Sequence, residues 1–236
     1  MSVMSRCWAV VPAAGAGRRF GAPIPKQYLD LGGRPVIDFC LQLFLASERI
    51  RGIAVVLDPE DMYWSETPLS DHPDLLRADG GPERCHSVLN ALELLAPRAN
   101  EEDWVLVHDA ARPCLRAEDL DHLLDSVSAH PVGGLLGVPV RDTMKQAGAG
   151  GEVARTVPRE GLWHAYTPQV FRFGLLRRAL RTALERGQLV TDDAAAVELL
   201  GLAPLLVEGH ADNIKITRPE DLPLARFYLA QQGRLC

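Results

Sequence analysis

The chain has 236 residues, of which 47% are hydrophobic and 24% are charged, so it is long enough to form one large domain or two small ones with a full core. Its formal net charge of −6 argues against a general nucleic-acid surface, and any anion site must therefore be built locally. No apolar run approaches the roughly 20 residues of a membrane span, so we expect no nucleic-acid partner and no membrane partner.

The N-terminal apolar stretch does not have the form of a secretion signal. Trp8–Val11 is too short for the hydrophobic region of a signal peptide, and Pro12 interrupts it. The cysteines are scattered, odd in number and without a C-x-x-C pair, which favours a reducing cytoplasm over a disulfide or zinc framework. They are Cys7, Cys40, Cys85, Cys114 and Cys236.

Short β-rich runs alternate with helical patterns over the first part of the chain. The nearly continuous apolar runs predict buried parallel strands at Ala9–Val11, Ile53–Leu57, Trp104–His108 and Gly134–Val138. Helical patterns between them cover Pro35–Ser47, Arg84–Leu95 and Glu118–Ser128. This alternation predicts an α/β fold whose parallel strands are joined by right-handed crossovers.

The alternation stops after Pro139. The segment PVRDTMKQAGAGGEVARTVPREGLWHA has polar, β-compatible flanks around a Gly-rich tip at Gly148–Gly151. We predict a β-arm over residues 139–160, inserted into a single domain over residues 1–236; a disordered linker is the alternative. Because an isolated two-stranded arm is marginally stable in water, we expect the arm to pack on a second subunit.

The chain after the arm is predicted to end in helices and short strands. Thr191 or Asp192 is placed to cap the second of these helices, and Pro219 lies in the first turn of the last one. The predicted elements are two helices, two strands and a closing helix: Phe173–Arg186, Asp193–Leu200, Pro204–Val207, Asn213–Thr217 and Pro219–Gln231.

A Gly-rich loop directly follows the first strand, in the stretch AVVPAAGAGRRFGAPIPKQYL. Bare backbone N–H groups in such a loop can approach phosphate oxygens. The dinucleotide fingerprint G-x-G-x-x-G is not met, because the third glycine comes one place late, and this disfavours an NAD-binding dehydrogenase. Arg18, Arg19 and Lys26 add three cations and favour a highly charged anion, although a solvated loop with chance arginines remains the alternative for Arg18.

Lysine is rare in this chain, with only Lys26, Lys145 and Lys215 among its 25 basic residues. A lysine ammonium is a compact point charge, unlike the arginine fork. Lys26 and Lys215 both lie in loop-like motifs, PIPKQYL and ADNIKITRPEDL. Both are therefore candidates for contact with a phosphate.

Two further motifs combine a turn with the start or end of a regular element. DGGPERCHSVLNAL offers close backbone approach at Gly80 and Gly81 and a hydroxyl at Ser87 in the first turns of a helix; a plain helix-capping loop is the alternative. WVLVHDAARPCL places Asp109 just past a buried strand, at the edge where ligands bind in open α/β sheets. A carboxylate there beside phosphates would hold Mg²⁺, whereas an ion pair between Asp109 and Arg112 is the alternative.

These clusters, in this order, closely resemble the 2-C-methyl-D-erythritol 4-phosphate cytidylyltransferases of the non-mevalonate isoprenoid pathway. The Gly-rich loop alone would indicate only a nucleotidyltransferase. Four further stretches narrow the resemblance to this family: VHDAARPC, PVRDTMK, LWHAYTPQVF and ADNIKITRPEDL. The matching stretches span nearly the whole chain: PAAGAGRRFGAPIPKQYL, DGGPERCHSV, VHDAARPC, PVRDTMK, LWHAYTPQVF and ADNIKITRPEDL.

The resemblance implies a Rossmann-like, mostly parallel sheet flanked by helices, in a homodimer held by interlocked β-arms. It implies that CTP and 2-C-methyl-D-erythritol 4-phosphate react, with Mg²⁺, to give 4-diphosphocytidyl-2-C-methyl-D-erythritol and pyrophosphate. A cytidylyltransferase for another polyol phosphate, such as ribitol 5-phosphate, is the alternative. A non-catalytic nucleotide-binding module is a third hypothesis, but each role at an active site has a candidate residue in this chain.

The resemblance also implies roles for single residues. Arg19, Lys26, Arg159 and Lys215 would be catalytic, and Asp109 would hold the metal. The nucleotide would be bound by Pro12, Ala13, Ala14, Gly15, Gly17, Arg19, Lys26, Gly81, Ser87 and Ala110. The methylerythritol phosphate would be bound by Asp109, Arg112, Thr143, Arg159, Thr167 and Lys215, with Thr143 and Arg159 coming from the partner's arm.

The residue types suit this chemistry. The attacking group is a phosphate monoester oxygen, whose second pKa of about 6 leaves it mostly ionised at neutral pH, so no general base is required. The difficulty is to bring two anions together and to spread charge at the α-phosphorus, which calls for positioning and electrostatic stabilisation. Cations and Mg²⁺ are therefore expected in place of a Ser–His–Asp set.

Overall fold

The structure is a computed structural model that describes residues 7–15 and 24–235. Its α-helices are α1 (Val36–Leu45), α2 (Arg84–Leu95), α3 (Ala117–Ser128), α4 (Phe173–Glu185), α5 (Asp193–Glu198) and α6 (Asp221–Gln231). Its strands are β1 (Cys7–Pro12), β2 (Ile50–Leu57), β3 (Leu75–Asp79), β4 (Trp104–Val107), β5 (Gly133–Pro139), β6 (Met144–Ala147), β7 (Val153–Val157), β8 (Trp163–Arg172) and β9 (Leu205–Glu208). No helix in these ranges is both long enough and apolar enough to cross a membrane.

Seven strands form one sheet in the order β3-β2-β1-β4-β8-β5-β9. All neighbours in it pair in parallel except β8, which runs antiparallel to both β4 and β5. The prediction of an α/β fold with a mostly parallel sheet flanked by helices is therefore confirmed.

Helices cover both faces of this sheet. Ala9 and Val11 of β1 pack towards α1 and α3, whereas Trp8 and Val10 pack towards α2, α4 and α5. Alternate residues of one strand therefore enter two separate cores, which explains why the central strands are nearly continuous apolar runs.

The predicted arm contains a hairpin of its own. Strands β6 and β7 pair antiparallel in a separate two-stranded sheet, so this segment is not a linker without structure. Its side chains are mostly exposed, and Val153 retains 61% of its accessible surface. The assignment of residues 139–160 as a dimerisation arm on a single domain stays a prediction.

Two parts of the sheet differ from the sequence-based expectation. The prediction of a strand at Asn213–Thr217 is wrong, because this segment is a loop whose backbone bonds to single residues and not to a neighbouring strand. The Ile216 N–H donates to the Ala111 carbonyl at 2.8 Å. Strands β3 and β8 were not expected, although β8 is the antiparallel strand at the centre of the sheet.

A buried carboxyl in α1 is not compensated by its surroundings. Asp38 lies in the first turn of α1 with none of its surface exposed, and within residues 7–15 and 24–235 neither of its carboxyl oxygens has a hydrogen-bond partner. Burial raises the pKa of Asp38 from 3.8 to about 6, and Arg34 opposes that shift only in part. The folded chain therefore holds this proton more tightly than the unfolded chain does.

We expect Asp38→Asn to raise the free energy of unfolding at pH 7 by about 1–3 kcal/mol, since the variant has no charge to bury. The gain should shrink as the pH falls through 6 and vanish below 3.8, where Asp38 is protonated in both states. Urea unfolding at several pH values measures this. Asp71→Asn, at an exposed carboxyl, is the matched control, and an equal or pH-independent gain in both variants contradicts the prediction.

Candidate functional site

The carboxyl ends of the parallel strands enclose a cavity. The chain passes from β1 to β2 and β3 on one side and later returns to β4 on the other side of β1, which makes the β1–β4 edge the point where a ligand is expected in such sheets. A cavity of about 700 Å³ opens there, between the residues that follow β1, β2, β3 and β4.

The segment after β1 forms one wall of this larger cavity. The Ala13 N–H donates to the Val56 carbonyl at 2.8 Å, and the Gln27 amide donates to the Ala13 carbonyl at 2.5 Å. Lys26 also lines the cavity, and its ammonium donates to the Ile216 carbonyl at 3.1 Å. The wall is therefore tied to β2 and to the loop that carries Lys215.

The turn between β3 and α2 forms the opposite wall. A Cβ at Gly80 would overlap the Cβ of Ala14, so glycine is what lets this turn approach the loop after β1. The Ser87 hydroxyl accepts the Gly81 N–H at 3.0 Å and donates to the Glu83 carbonyl at 3.3 Å. Ser87 lines the cavity, but its hydroxyl also holds the shape of the turn.

A smaller cavity of about 230 Å³ adjoins the larger one. Its wall includes Arg112, Thr167 and Gln169, which come from the loop after β4 and from β8. Among the residues that the structure describes, three line both cavities: Arg84, Asp109 and Lys215. We call these three residues the junction.

Ion pairs join the three junction residues. Lys215 Nζ lies 2.6 Å from Asp109 Oδ2, and Arg84 Nε lies 3.1 Å from Asp109 Oδ1. Burial by itself raises the pKa of Asp109, but Arg84 and Lys215 outweigh it and hold that pKa well below its ordinary range. Asp109 is therefore an anion at any pH near neutrality.

Arg112 makes different contacts from those of the junction. Its guanidinium donates to the Asn213 carbonyl at 2.7 Å and lies 4.6 Å from the centre of the Tyr166 ring. Burial lowers the pKa of Arg112, and its Nε has no hydrogen-bond partner. The alternative that Asp109 only forms a loop-closing ion pair with Arg112 is wrong, since Arg84 and Lys215 take both carboxylate oxygens.

A chain of hydrogen bonds behind Asp109 fixes its position. Burial lowers the pKa of His108 to about 4, so the imidazole is neutral. Its Nε2 lies 3.0 Å from the Arg112 carbonyl and its Nδ1 lies 3.1 Å from the Thr167 hydroxyl, so Nε2 carries the proton and Nδ1 accepts from Thr167. The Thr167 oxygen in turn accepts the Asp109 N–H at 3.1 Å.

Most of the residues predicted for the site lie in these cavities. The larger cavity is lined by the predicted residues Pro12, Ala13, Ala14, Gly15, Lys26, Gly81, Ser87, Asp109, Ala110 and Lys215, and the smaller one by Arg112 and Thr167. Gly17 and Arg19 lie outside the described residues. Thr143 and Arg159 are exposed and line neither cavity, so one chain alone does not bring them to the junction.

Sequence reasoning missed three polar residues at or behind the site. Arg84 belongs to the junction, Gln27 supports the loop after β1, and Asp193 pairs with Arg84 at 2.8 Å. In the motif DGGPERCHSVLNAL, Arg84 comes shortly after Gly80 and Gly81. That position beside the glycine turn could have marked Arg84 as a candidate site residue. Asp193 is 109 positions away from Arg84, and no local pattern links the two.

The residues of this site suit a divalent cation only when substrate phosphates bind the same ion. Among residues 7–15 and 24–235, no three His, Cys, Asp or Glu side chains converge as a metal cage. Asp109, however, is an ionised carboxylate on the wall of the larger cavity. Mg²⁺ is commonly held by one or two carboxylates together with substrate phosphates and water, and Asp109 suits that mode of binding.

Known sequences of one family match this chain over nearly its whole length. The family model for IspD, 2-C-methyl-D-erythritol 4-phosphate cytidylyltransferase, matches residues 7–231. A curated protein of that name from Pseudomonas entomophila (strain L48) is 52% identical over 226 residues, which cover 95% of this chain and 96% of the relative. Another from Ectopseudomonas mendocina (strain ymp) is 53% identical over 231 residues, which cover 98% of each.

Solved structures give the same result. The crystal structure of a 4-diphosphocytidyl-2C-methyl-D-erythritol synthase matches with a TM-score of 0.83 and 38% identity, over 95% of this chain and 99% of that one. The cytidylyltransferase IspD of Francisella tularensis matches with a TM-score of 0.84 and 34% identity, over 95% of this chain and all of that one.

Proposed function

This chain belongs to the family of 2-C-methyl-D-erythritol 4-phosphate cytidylyltransferases, and we propose that it transfers the cytidylyl group of CTP to 2-C-methyl-D-erythritol 4-phosphate. The products are 4-diphosphocytidyl-2-C-methyl-D-erythritol and pyrophosphate. The observation that carries the proposal is that two cavities meet at Arg84, Asp109 and Lys215. A nucleotide in the larger cavity and a phosphoalcohol in the smaller one would bring two phosphates together there.

The alternatives are less well supported. A ribitol 5-phosphate cytidylyltransferase is not favoured, since the relatives and solved structures named above carry the methylerythritol name. A dehydrogenase is not supported by a family match to a nucleotidyltransferase. A binding module without activity would not need the charged junction between the two cavities.

CTP and the phosphoalcohol each bind to a separate set of residues. The nucleotide lies against Ala13–Gly15 and the Gly80–Ser87 turn in the larger cavity. The phosphoalcohol enters the smaller cavity beside Arg112. Its phosphate oxygen attacks the α-phosphorus of CTP in line, and pyrophosphate leaves on the opposite side.

Cations of this chain neutralise the charge that develops. Lys215 lies at the junction and contacts both phosphates, while Lys26 and Arg19 bind the pyrophosphate as it leaves. Asp109 would hold Mg²⁺ carried in by the triphosphate, and the bound ion would neutralise phosphate charge. No proton has to be removed from the attacking oxygen near neutral pH, so no general-base role is assigned to His108, which burial keeps neutral behind the junction.

The hairpin supplies the remaining contacts to the phosphoalcohol. Thr143 and Arg159 are exposed beside β6 and β7, and they would complete the smaller cavity of a partner subunit in a homodimer. Apolar side chains that remain exposed in this part of the chain, Val153 at 61% and Leu162 at 37%, support a packed partner.

We also propose a cytoplasmic location, which the thiols support. Cys7, Cys40, Cys85 and Cys114 are buried and free. Free buried thiols are typical of proteins from reducing compartments.

The proposed reaction is tested by measuring pyrophosphate release from CTP and Mg²⁺ with either of two phosphoalcohols. We expect release with 2-C-methyl-D-erythritol 4-phosphate and little with ribitol 5-phosphate. Release with ribitol 5-phosphate alone would leave the phosphate chemistry intact but overturn the substrate. No release with either compound, from folded protein, would contradict the activity itself.

The role of Lys26 is tested by Lys26→Ala. We expect kcat to fall by roughly 10²–10³-fold, by analogy with the loss of one oxyanion donor, because the charge on the leaving pyrophosphate is then less well neutralised. Arg51→Ala is the control, since Arg51 is exposed at the opposite end of β2 from the cavity. A near-normal kcat in a folded Lys26→Ala protein would contradict the role.

The role of Arg159 is tested by Arg159→Gln. We expect the KM for methylerythritol phosphate to rise about 10- to 100-fold, the range for a lost hydrogen bond between charged groups, while the KM for CTP stays unchanged. Arg155→Gln is the control, because Arg155 is also exposed on the hairpin and also has a partner within the chain: Arg155 donates to Gln146, whereas Arg159 donates to the Arg141 carbonyl. An unchanged KM for the phosphoalcohol overturns the assignment.

A further inference from the structure

Asp193 is a buried carboxylate behind the junction. It lies at the first position of α5, its side chain has no exposed surface, and it lines neither cavity. Its Oδ2 accepts from Arg84 Nη2 at 2.8 Å, while its Oδ1 has no hydrogen-bond partner among the described residues. Burial raises the pKa of Asp193, and Arg84 is the partner that opposes this shift.

The start of α5 is held firmly against the sheet. Gln169 of β8 donates to Asp192 Oδ2 at 2.9 Å and accepts the Ala194 N–H at 2.8 Å. Asp192 also caps the helix by accepting the Ala195 N–H at 2.9 Å, as its position in the sequence predicted. Asp193 is thus fixed between two anchored residues, and it presents its carboxylate to Arg84 from a set position.

Arg84 divides its guanidinium between two carboxylates. One edge meets Asp193, and Nε meets Asp109 at 3.1 Å, so Asp109 Oδ2 is left to Lys215 at 2.6 Å. An arginine beside a single carboxylate tends to take both of its oxygens in a bidentate pair. Without the pull of Asp193, Arg84 would turn towards Asp109 and compete with Lys215 for it.

Stability does not explain this arrangement. A buried ion pair seldom repays the desolvation of its charges, and Asp193 keeps one oxygen without any partner. Asp193 contacts Arg84, which lines both cavities. The charge of Asp193 therefore affects the position of a residue of the junction.

We propose that Asp193 is a positioning residue for cytidylyl transfer, which acts through Arg84 to keep Asp109 and Lys215 in the arrangement that receives the two phosphates. This inference rests on the proposed function. It predicts a loss in the rate of the chemical step, since Asp193 does not touch the nucleotide cavity and uniform binding of CTP should be unaffected.

The test is a cycle of Asp193→Asn, Arg84→Met and the double variant, with kcat, KM for CTP and melting temperature measured for each. Asparagine keeps the size of Asp193 and removes only its charge. We expect Asp193→Asn to lower kcat about 10- to 100-fold, the usual effect of removing an outer partner of a site, with the KM for CTP unchanged. In the Arg84→Met background, Asp193→Asn should lower kcat no further, because its effect passes through Arg84.

The melting temperatures give a second, independent readout. Arg84→Met leaves Asp193 buried and unpaired, so the double variant should melt at a higher temperature than Arg84→Met alone.

Asp38→Asn removes a buried carboxyl that lies on α1 and makes no hydrogen bond in the site, and it should keep wild-type kcat. If Asp193→Asn does not fold, Arg84→Lys replaces it, since a lysine cannot bridge the two carboxylates with a planar fork and should lower kcat in the same way.

Each outcome supports or overturns the inference. A wild-type kcat in Asp193→Asn, or in Arg84→Lys where that variant is needed, overturns it while the proposed function stands. Independent losses that multiply in the double variant also overturn it, because Asp193 would then not act through Arg84. Failure of the wild-type protein to release pyrophosphate overturns the proposed function first, and the inference with it.

Discussion

The site is organised around one buried anion, Asp109. It lies two residues past the end of β4, at the edge where the parallel strands end, and Arg84 and Lys215 approach it from two other segments of the chain. An isolated carboxylate at that depth would take up a proton, but these cations keep it charged. The ion pairs bring α2 and the loop at 213–217 to the end of β4, and the two cavities share these three residues as a consequence.

Contacts elsewhere in the fold position Asp109 and the cavity walls around it. The close approach of Gly80 to Ala14 and the hydrogen bond from Gln27 to Ala13 narrow the larger cavity. On the other side, Thr167 of β8 accepts the Asp109 N–H. The antiparallel β8 also carries Gln169, which anchors α5. One unexpected strand therefore supports both Asp109 itself and the helix that presents Asp193 to Arg84.

Local patterns were sufficient for much of this structure. Apolar runs and helical periodicity placed the central strands and most helices, and α2 was predicted with the bounds that the structure has. Residues at strand ends and glycine turns, such as Gly81 and Asp109, line the larger cavity as expected. These features depend on neighbours in sequence, which is the information that one sequence contains.

What the sequence did not predict depends on distant contacts. The segment 213–217 has strand-like composition, but its backbone bonds to scattered groups, among them the Ala111 carbonyl, the Arg112 guanidinium and the Lys26 ammonium, and not to a strand of the described structure. Asp38 looks like an ordinary acidic residue in a first helical turn, yet tertiary packing leaves it without a hydrogen-bond partner. Asp193 gains its partner only when α5 docks beside α2.

The most direct measurement is a crystal structure with both substrates in place, using a CTP analogue that has a methylene group between its α- and β-phosphorus atoms, together with methylerythritol phosphate. We expect the nucleotide in the larger cavity, the phosphoalcohol in the smaller one, and both the α-phosphate and the acceptor phosphate in contact with Lys215. An acceptor phosphate bound away from Arg84, Asp109 and Lys215 would contradict this expectation.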